Sequence, residues 1–196
     1  MCCREAAAAV ALILLFCSVP CQAAAPDAAG LDFNCTSPAL AVAFPDPVGP
    51  IRCGARSLQK CPTSSAVQTQ PVVQWAGAAS GQFYTLIMVD PDAPTPRAPT
   101  MSPIMHWVAV NIPGDDLATG FSNATVAVQE LFPYHGPHPP VGSAPHRYGQ
   151  FVFLQPTGKV DFKPLPVSRV NWDYEAFLAQ YRLGQKLASN YMLCSA

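Results

Sequence analysis

The sequence predicts one mainly β domain, on three observations. There are 22 prolines and 12 glycines among 196 residues, several short segments of alternating hydrophobicity, and a single convincing amphipathic helix. Proline and glycine follow no collagen period and fall largely between the hydrophobic segments, as expected for short strands joined by stiff loops. Half of the residues are hydrophobic, 12% are charged and the formal net charge is −1. That balance excludes a disordered tail and a nucleic-acid binder built on a basic face.

The N-terminus reads as a leader. Arg4 precedes an almost unbroken apolar run from Ala6 to Val19, shorter than the roughly 20 residues a membrane span needs. Pro20 and the small-residue patterns ending at Ala23 and Ala25 follow, as a signal-peptidase site requires. We therefore expect residues 1–25 to be a cleaved signal peptide and 26–196 a single secreted domain without a transmembrane segment, located outside the cell or in an endolysosomal lumen. Cleavage leaves Cys35, Cys53, Cys61 and Cys194, an even set in an oxidising compartment, for which three pairings are open. The preferred pairing closes a local loop between Cys53 and Cys61 and leaves Cys35 to tether Cys194. Asn34-Cys35-Thr36 and Asn123-Ala124-Thr125 are glycosylation acceptors.

Along the mature chain, strands are expected at Leu40 to Phe44, Val72 to Trp75, Phe83 to Val89, Met105 to Ile112 and Tyr148 to Leu154. Turn signals separate them, among them Pro45-Asp46-Pro47, Gly77 to Gly81, Pro113-Gly114-Asp115-Asp116 and Pro156-Thr157-Gly158. Tyr174, Phe177, Leu178 and Tyr181 recur at helical spacing behind a candidate Asn171 cap, and Gly184 ends the run. From Leu131 to Pro145 five prolines exclude both a helix and a central strand. This stiff loop carries His135, Gly136 and His138 and ends at His146.

All four histidines fall between positions 106 and 146, and Asp90-Pro91-Asp92-Ala93-Pro94 follows directly on a hydrophobic strand. With strict alternation His106 shares the face of Val108, Val110 and Ile112, the position of a core histidine. The two aspartates can each cap local backbone amides. Brought together, a carboxylate fixes an imidazole's tautomer and favours its charged form, which suits an anionic oxygen. Ser102 and Ser143 have no nucleophile-elbow context and no G-x-S-x-G motif exists, so no enzyme is expected. The prolines between neighbouring loop histidines remove helical ligand spacing, and neither a metal nor any other cofactor is expected.

Asp90-Pro91-Asp92-Ala93-Pro94, His106-Trp107-Val108-Ala109-Val110-Asn111, Gly136-Pro137-His138-Pro139-Pro140 and Pro145-His146-Arg147-Tyr148 resemble, in order, the signature of the phosphatidylethanolamine-binding protein family. The resemblance runs from about Leu31 to Met192, and with the leader and the Cys53 and Cys61 pair it is closest to a secreted member. It implies a large antiparallel sheet packed on a smaller one, a β sandwich with peripheral helices, and a small cavity for phosphate or a phospholipid head group. The family's pocket falls on Asp90, Asp92, His106, Gly136, Pro139, His146 and Tyr148. The sequence departs from the family's usual pattern at Ile104, Met105 and His138. It also ends at Ala196, where many relatives continue into a helix over the pocket.

A zwitterionic head group such as phosphoethanolamine needs donors for its phosphate and acceptors for its ammonium, and these residues offer both. The expected function is therefore non-enzymatic binding of a phosphate anion or phospholipid head group. The alternative is an inhibitor or signalling module that meets an extracellular protein partner through the proline-rich loop.

Overall fold

The computed structural model of the chain describes residues 32–36, 38–56, 60–122, 128–165 and 167–196. The expected leader and the Asn123 acceptor lie outside the described residues.

A small sheet of β1 (Ala41–Ala43), β2 (Pro50–Ile51) and β4 (Val72–Gln74) has the order β2-β1-β4. The large sheet has the order β3-β9-β8-β5-β6-β7, from β3 (Ala55–Arg56), β5 (Phe83–Asp90), β6 (Ile104–Pro113), β7 (Gln129–Phe132), β8 (His146–Leu154) and β9 (Ala188–Cys194). Its neighbours pair antiparallel except at the edge, where β3 runs parallel to β9. Among the described residues three α-helices, α1 (Ser65–Gln68), α2 (Gly114–Thr119) and α3 (Tyr174–Gln180), lie between strands in sequence.

Two apolar clusters cover opposite faces of the large sheet. Leu40, Val42, Phe44 and Val73 from the small sheet side pack with Leu86, Met88, Trp107 and Val152. On the other face Phe162, Trp172, Phe177 and Leu183 cover Ile87, Val89, Val108 and Phe151. The architecture is thus not strictly a two-layer sandwich: the segment around α3 forms a third layer. Burial on both faces explains why β5 reads as a near-continuous hydrophobic run, Phe-Tyr-Thr-Leu-Ile-Met-Val, with little alternation.

The helix cap is Asp173, whose carboxylate accepts from the Ala176 N–H at 2.9 Å. Asn171 instead takes a left-handed backbone (φ 52°) in the preceding turn, and α3 ends at Gln180, before Gly184. β7 and β9 carry too little strand signal of their own and are held by pairing with longer neighbours.

The preferred cysteine pairing is also overturned: the disulfides are Cys35–Cys53 and Cys61–Cys194. The N-terminal segment lies against β9, where Ser189 Oγ donates to the Asn34 carbonyl at 2.9 Å and the Ser189 N–H to Thr36 Oγ1 at 3.0 Å. Gly54 N–H donates to the Tyr191 carbonyl of the same strand, so Cys35 and Cys53 meet there. Cys61 N–H reaches the Ser195 carbonyl at 3.0 Å and lies beside Cys194. Spacing along the chain favoured the local pair, and the β3–β9 contact decides otherwise.

Candidate functional site

Asp90 ends β5 and His146 begins β8, two central neighbours of the large sheet. The residues are buried, and His146 Nδ1 donates to Asp90 Oδ2 over 2.8 Å. A carboxylate only accepts, so the contact places a ring proton on Nδ1. Asp90 Oδ1 accepts from the Asp92 N–H at 2.7 Å, which fixes the turn that follows the strand. On its other side, His146 Nε2 lies 3.1 Å from Ser143 Oγ.

Asp92 faces elsewhere. Its Oδ2 accepts from the Arg147 N–H at 2.7 Å and from Arg147 Nε at 3.0 Å, and its Oδ1 accepts from an Arg147 terminal nitrogen at 2.8 Å. This two-pronged contact locks the turn after β5 to the start of β8.

His106 reaches the site through an irregularity of β6. The register pairs Met88 with Trp107 but Val89 with Met105, leaving His106 as the extra residue of a β-bulge. A second shift lies between the Tyr84 and Leu86 pairs. The two shifts break the alternation expected from sequence: Val108 and Val110 pack on one face of the sheet, Ile112 on the other. The His106 ring lies edge-on to Tyr148, with centroids 5.1 Å apart, and 5.9 Å from the His135 ring. Bulges re-aim single side chains in this way.

The His106 Nδ1–H donates to the His135 carbonyl at 2.7 Å. Burial pushes its pKa down to about 4, helped by the nearby His135 and Arg169, against the pull of the His135 carbonyl and Asp90. At neutral pH the ring is uncharged, and its Nε2 offers a lone pair. Tyr148 is stacked with His146 at 6.4 Å. Burial, and then the Asp90 charge, hold its hydroxyl far above the usual phenol range, so it keeps a proton to donate.

The stiff loop rests on α1. Gln68 Nε2 donates to the Pro137 carbonyl at 2.8 Å and to the Cys61 carbonyl at 3.0 Å, and the Tyr134 hydroxyl donates to the Val67 carbonyl at 2.7 Å. Gly136, Pro137 and Pro139 are buried, and His138 is exposed. A Cβ on Gly136 would lie 2.4 Å from Gln68 Oε1 and 2.8 Å from its Cα, so only glycine fits there.

The structure therefore brings Asp90, His106, His146 and Tyr148 together, places Gly136 and Pro139 in the loop tied to His106 through His135, and turns Asp92 toward Arg147. Sequence reasoning missed Ser143, Arg147 and the His135 carbonyl. A Gly-Ser pair three residues before a buried-strand histidine was the available signal for Ser143. Among the described residues no group of three or more metal-ligating side chains is arranged around one point.

A profile of the phosphatidylethanolamine-binding protein family matches residues 49–192, well over half of the chain. The chain belongs to the phosphatidylethanolamine-binding protein family. Within it, the chain is 39% identical over 122 residues to the protein MOTHER of FT and TFL1 homolog 2 of Oryza sativa subsp. japonica, covering 61% of this chain and 64% of that one. It is 34% identical over 125 residues to the protein TERMINAL FLOWER 1 of Arabidopsis thaliana, covering 64% and 65%. The match spans less than two thirds of the length of these relatives. Among solved structures, a carboxypeptidase Y inhibitor complexed with its cognate proteinase is similar at a TM-score of 0.65 and 27% identity, over 80% of this chain and 82% of that one. The phosphatidylethanolamine-binding protein of Plasmodium vivax shares the fold at a TM-score of 0.62 and 17% identity, over 80% and 84%.

Proposed function

We propose that the chain is a secreted, non-enzymatic member of the phosphatidylethanolamine-binding protein family that binds a phosphate anion or a phospholipid head group such as phosphoethanolamine. The observation that carries this reading is the convergence of Asp90, His106, His146 and Tyr148 at one end of the large sheet, beside a loop stiffened by proline. The Tyr148 hydroxyl and the Gly136 backbone amide donate to phosphate oxygens. Neutral His106 accepts at Nε2 from the hydroxyl of a singly charged phosphate or from an ammonium, and becomes a donor once protonated. Asp90 keeps His146 in place, and Asp92 contributes indirectly by holding Arg147 and the start of β8. The prolines limit the ordering cost of binding. Secretion rests on the leader and on the two disulfides. Asn34 is exposed and accessible to a glycosyl carrier. Among the described residues no helix is long and apolar enough to cross a membrane.

Calorimetric titration of the wild type, Asp90→Asn and His106→Ala with inorganic phosphate and with phosphoethanolamine tests the site. We expect His106→Ala to weaken both ligands at least tenfold. Asp90→Asn should weaken both if the carboxylate serves the imidazoles, and phosphoethanolamine alone if it meets the ammonium. Binding that ignores both substitutions sinks the assignment.

The likeness to the carboxypeptidase Y inhibitor favours a second reading, a module that docks on an extracellular protein partner through the loop. In that case protease inhibition would persist in His106→Ala and fall when Pro139 and Pro140 are replaced.

A further inference from the structure

Ser143 has no part in the binding role proposed above, yet its Oγ sits 3.1 Å from His146 Nε2, and His146 Nδ1 sits 2.8 Å from Asp90 Oδ2. The three side chains form a continuous relay of hydroxyl, imidazole and carboxylate. The turn that presents Ser143 is built for the purpose: its N–H donates to the Pro140 carbonyl at 3.2 Å, and Gly142 at the third position takes φ 83°. A type II turn needs that left-handed conformation, which glycine adopts freely. His146 is fully buried, whereas Ser143 is half-exposed and lines a cleft of about 590 Å³ together with Pro94, Thr95, Arg97, Pro140 and Gly142. The serine thus meets the imidazole on one side and an open cleft on the other. Arg97 is exposed and forms no ion pair among the described residues, so the cleft offers a free cation.

We infer that Ser143 is an activated nucleophile that accepts an acyl group from an activated ester bearing an anionic end. The Ser143 hydroxyl has two acceptors in reach, His146 Nε2 and the Ala144 carbonyl at 2.9 Å. Because Asp90 holds the ring proton on Nδ1, Nε2 of the neutral ring carries a lone pair and competes for the hydroxyl proton. In the reaction a bond forms from Oγ to the acyl carbon and the ester C–O bond breaks. The hydroxyl proton passes to His146 Nε2 and then to the departing alkoxide, giving acyl-Ser143 and the free alcohol with no change of oxidation state. Asp90 stabilises the transient imidazolium, and Arg97 receives the anionic end of the ester. The Ser143 N–H is committed to the Pro140 carbonyl, so a good leaving group is needed and the reaction is a stoichiometric acylation.

The test uses the secreted chain with the 4-nitrophenyl half-ester of succinic acid and with neutral 4-nitrophenyl acetate. Nitrophenolate release, intact mass and peptide mapping are read together. We expect a burst of one equivalent, a single adduct mapped to Ser143, and loss of both in Ser143→Ala, whose half-exposed position preserves the melting transition. His146→Gln should slow the burst at least about 100-fold, and Arg97→Ala should slow the half-ester at least fivefold more than the acetate. Three results overturn the proposal: no adduct on the folded wild type, an adduct that survives in Ser143→Ala, or wild-type burst rates in His146→Gln. Titration with inorganic phosphate on the same preparations reports the binding site separately, since neither ester appears in that measurement.

Discussion

His106 and His135 hold each other in both directions: the His135 N–H donates to the His106 carbonyl over 2.8 Å, and the His106 Nδ1–H donates to the His135 carbonyl over 2.7 Å. The clasp ties the β-bulge to the proline loop and fixes the tautomer of a buried ring. Arg169 reinforces it, donating to the Met105, His106 and Pro133 carbonyls. The clasp therefore sets the shape of the site and the tautomer of His106, while burial keeps the ring uncharged.

The first prediction concerns stability. His106 titrates at about 4 in the folded chain and near 6.5 when unfolded, so between these values the unfolded chain binds the extra proton. The folded state is thus favoured in full above about pH 6.5 and loses that contribution as pH falls toward about 4. The size is roughly 3 kcal/mol by proton linkage. His135, also pushed down by burial and by Arg169 and His138, adds a loss of the same sign. Urea unfolding at pH 7 and pH 4.5 should show the fall, and His106→Gln should reduce the slope.

A bound anion reverses part of this effect. It raises the His106 pKa, so anion and proton promote each other's binding. Because burial holds His106 at about 4, the gain lies lower than an ordinary histidine would place it, toward pH 5 and below. Inorganic sulfate does not itself titrate there and is a clean probe. Its affinity should rise several-fold from pH 6 to pH 4.5 in the wild type and stay flat in His106→Gln; equal slopes in both would remove His106 from the site.

Much of this was legible in the sequence. The five strands expected from hydrophobic runs are all present, because runs such as Phe83 to Val89 stay strands whether one face or both are buried. The orientation of His106 was not legible, since an inserted residue in a β-bulge leaves no period to read. The roles of Ser143 and Arg147 depend on a turn and a strand start that pack against β5, contacts 55 to 56 residues apart for the Asp92 and Asp90 pairs. The cysteine pairing failed for the same reason: proximity in sequence is a weak guide once β9 gathers distant segments.

The disulfides give a third prediction. Cys61–Cys194 spans 133 residues and Cys35–Cys53 spans 18. On the chain-entropy account, closing the longer loop is worth about 5 kcal/mol and the shorter about 3. Replacing Cys61 and Cys194 together by alanine should lower stability more than replacing Cys35 and Cys53. It should also disturb the site more, because Cys194 pairs with His146 across β8 and β9. Denaturant titration and phosphate calorimetry on the two double variants measure each effect, and a larger loss from the short loop would contradict the account.

The last prediction concerns Asp92 and Arg147. The carboxylate is buried and the Arg147 side chain only 22% exposed, so the pair lies largely out of water. Removing one partner leaves the other's charge without its match, which costs about 3 kcal/mol or more for buried pairs. Arg147 also packs its guanidinium over the Phe33 ring at 4.8 Å, so its loss removes one contact of the N-terminal segment as well. Arg147→Ala should therefore destabilise more than Asp92→Asn, which keeps the ring contact and an uncharged acceptor for the Arg147 N–H. If Asp92 acts through Arg147 and not on the ligand, both variants should weaken phosphate and phosphoethanolamine by the same factor, and the double variant should show little further loss of affinity. Denaturant unfolding and calorimetry on the two single variants and the double variant supply the cycle. A selective loss of phosphoethanolamine in Asp92→Asn alone would instead put the carboxylate on the ammonium.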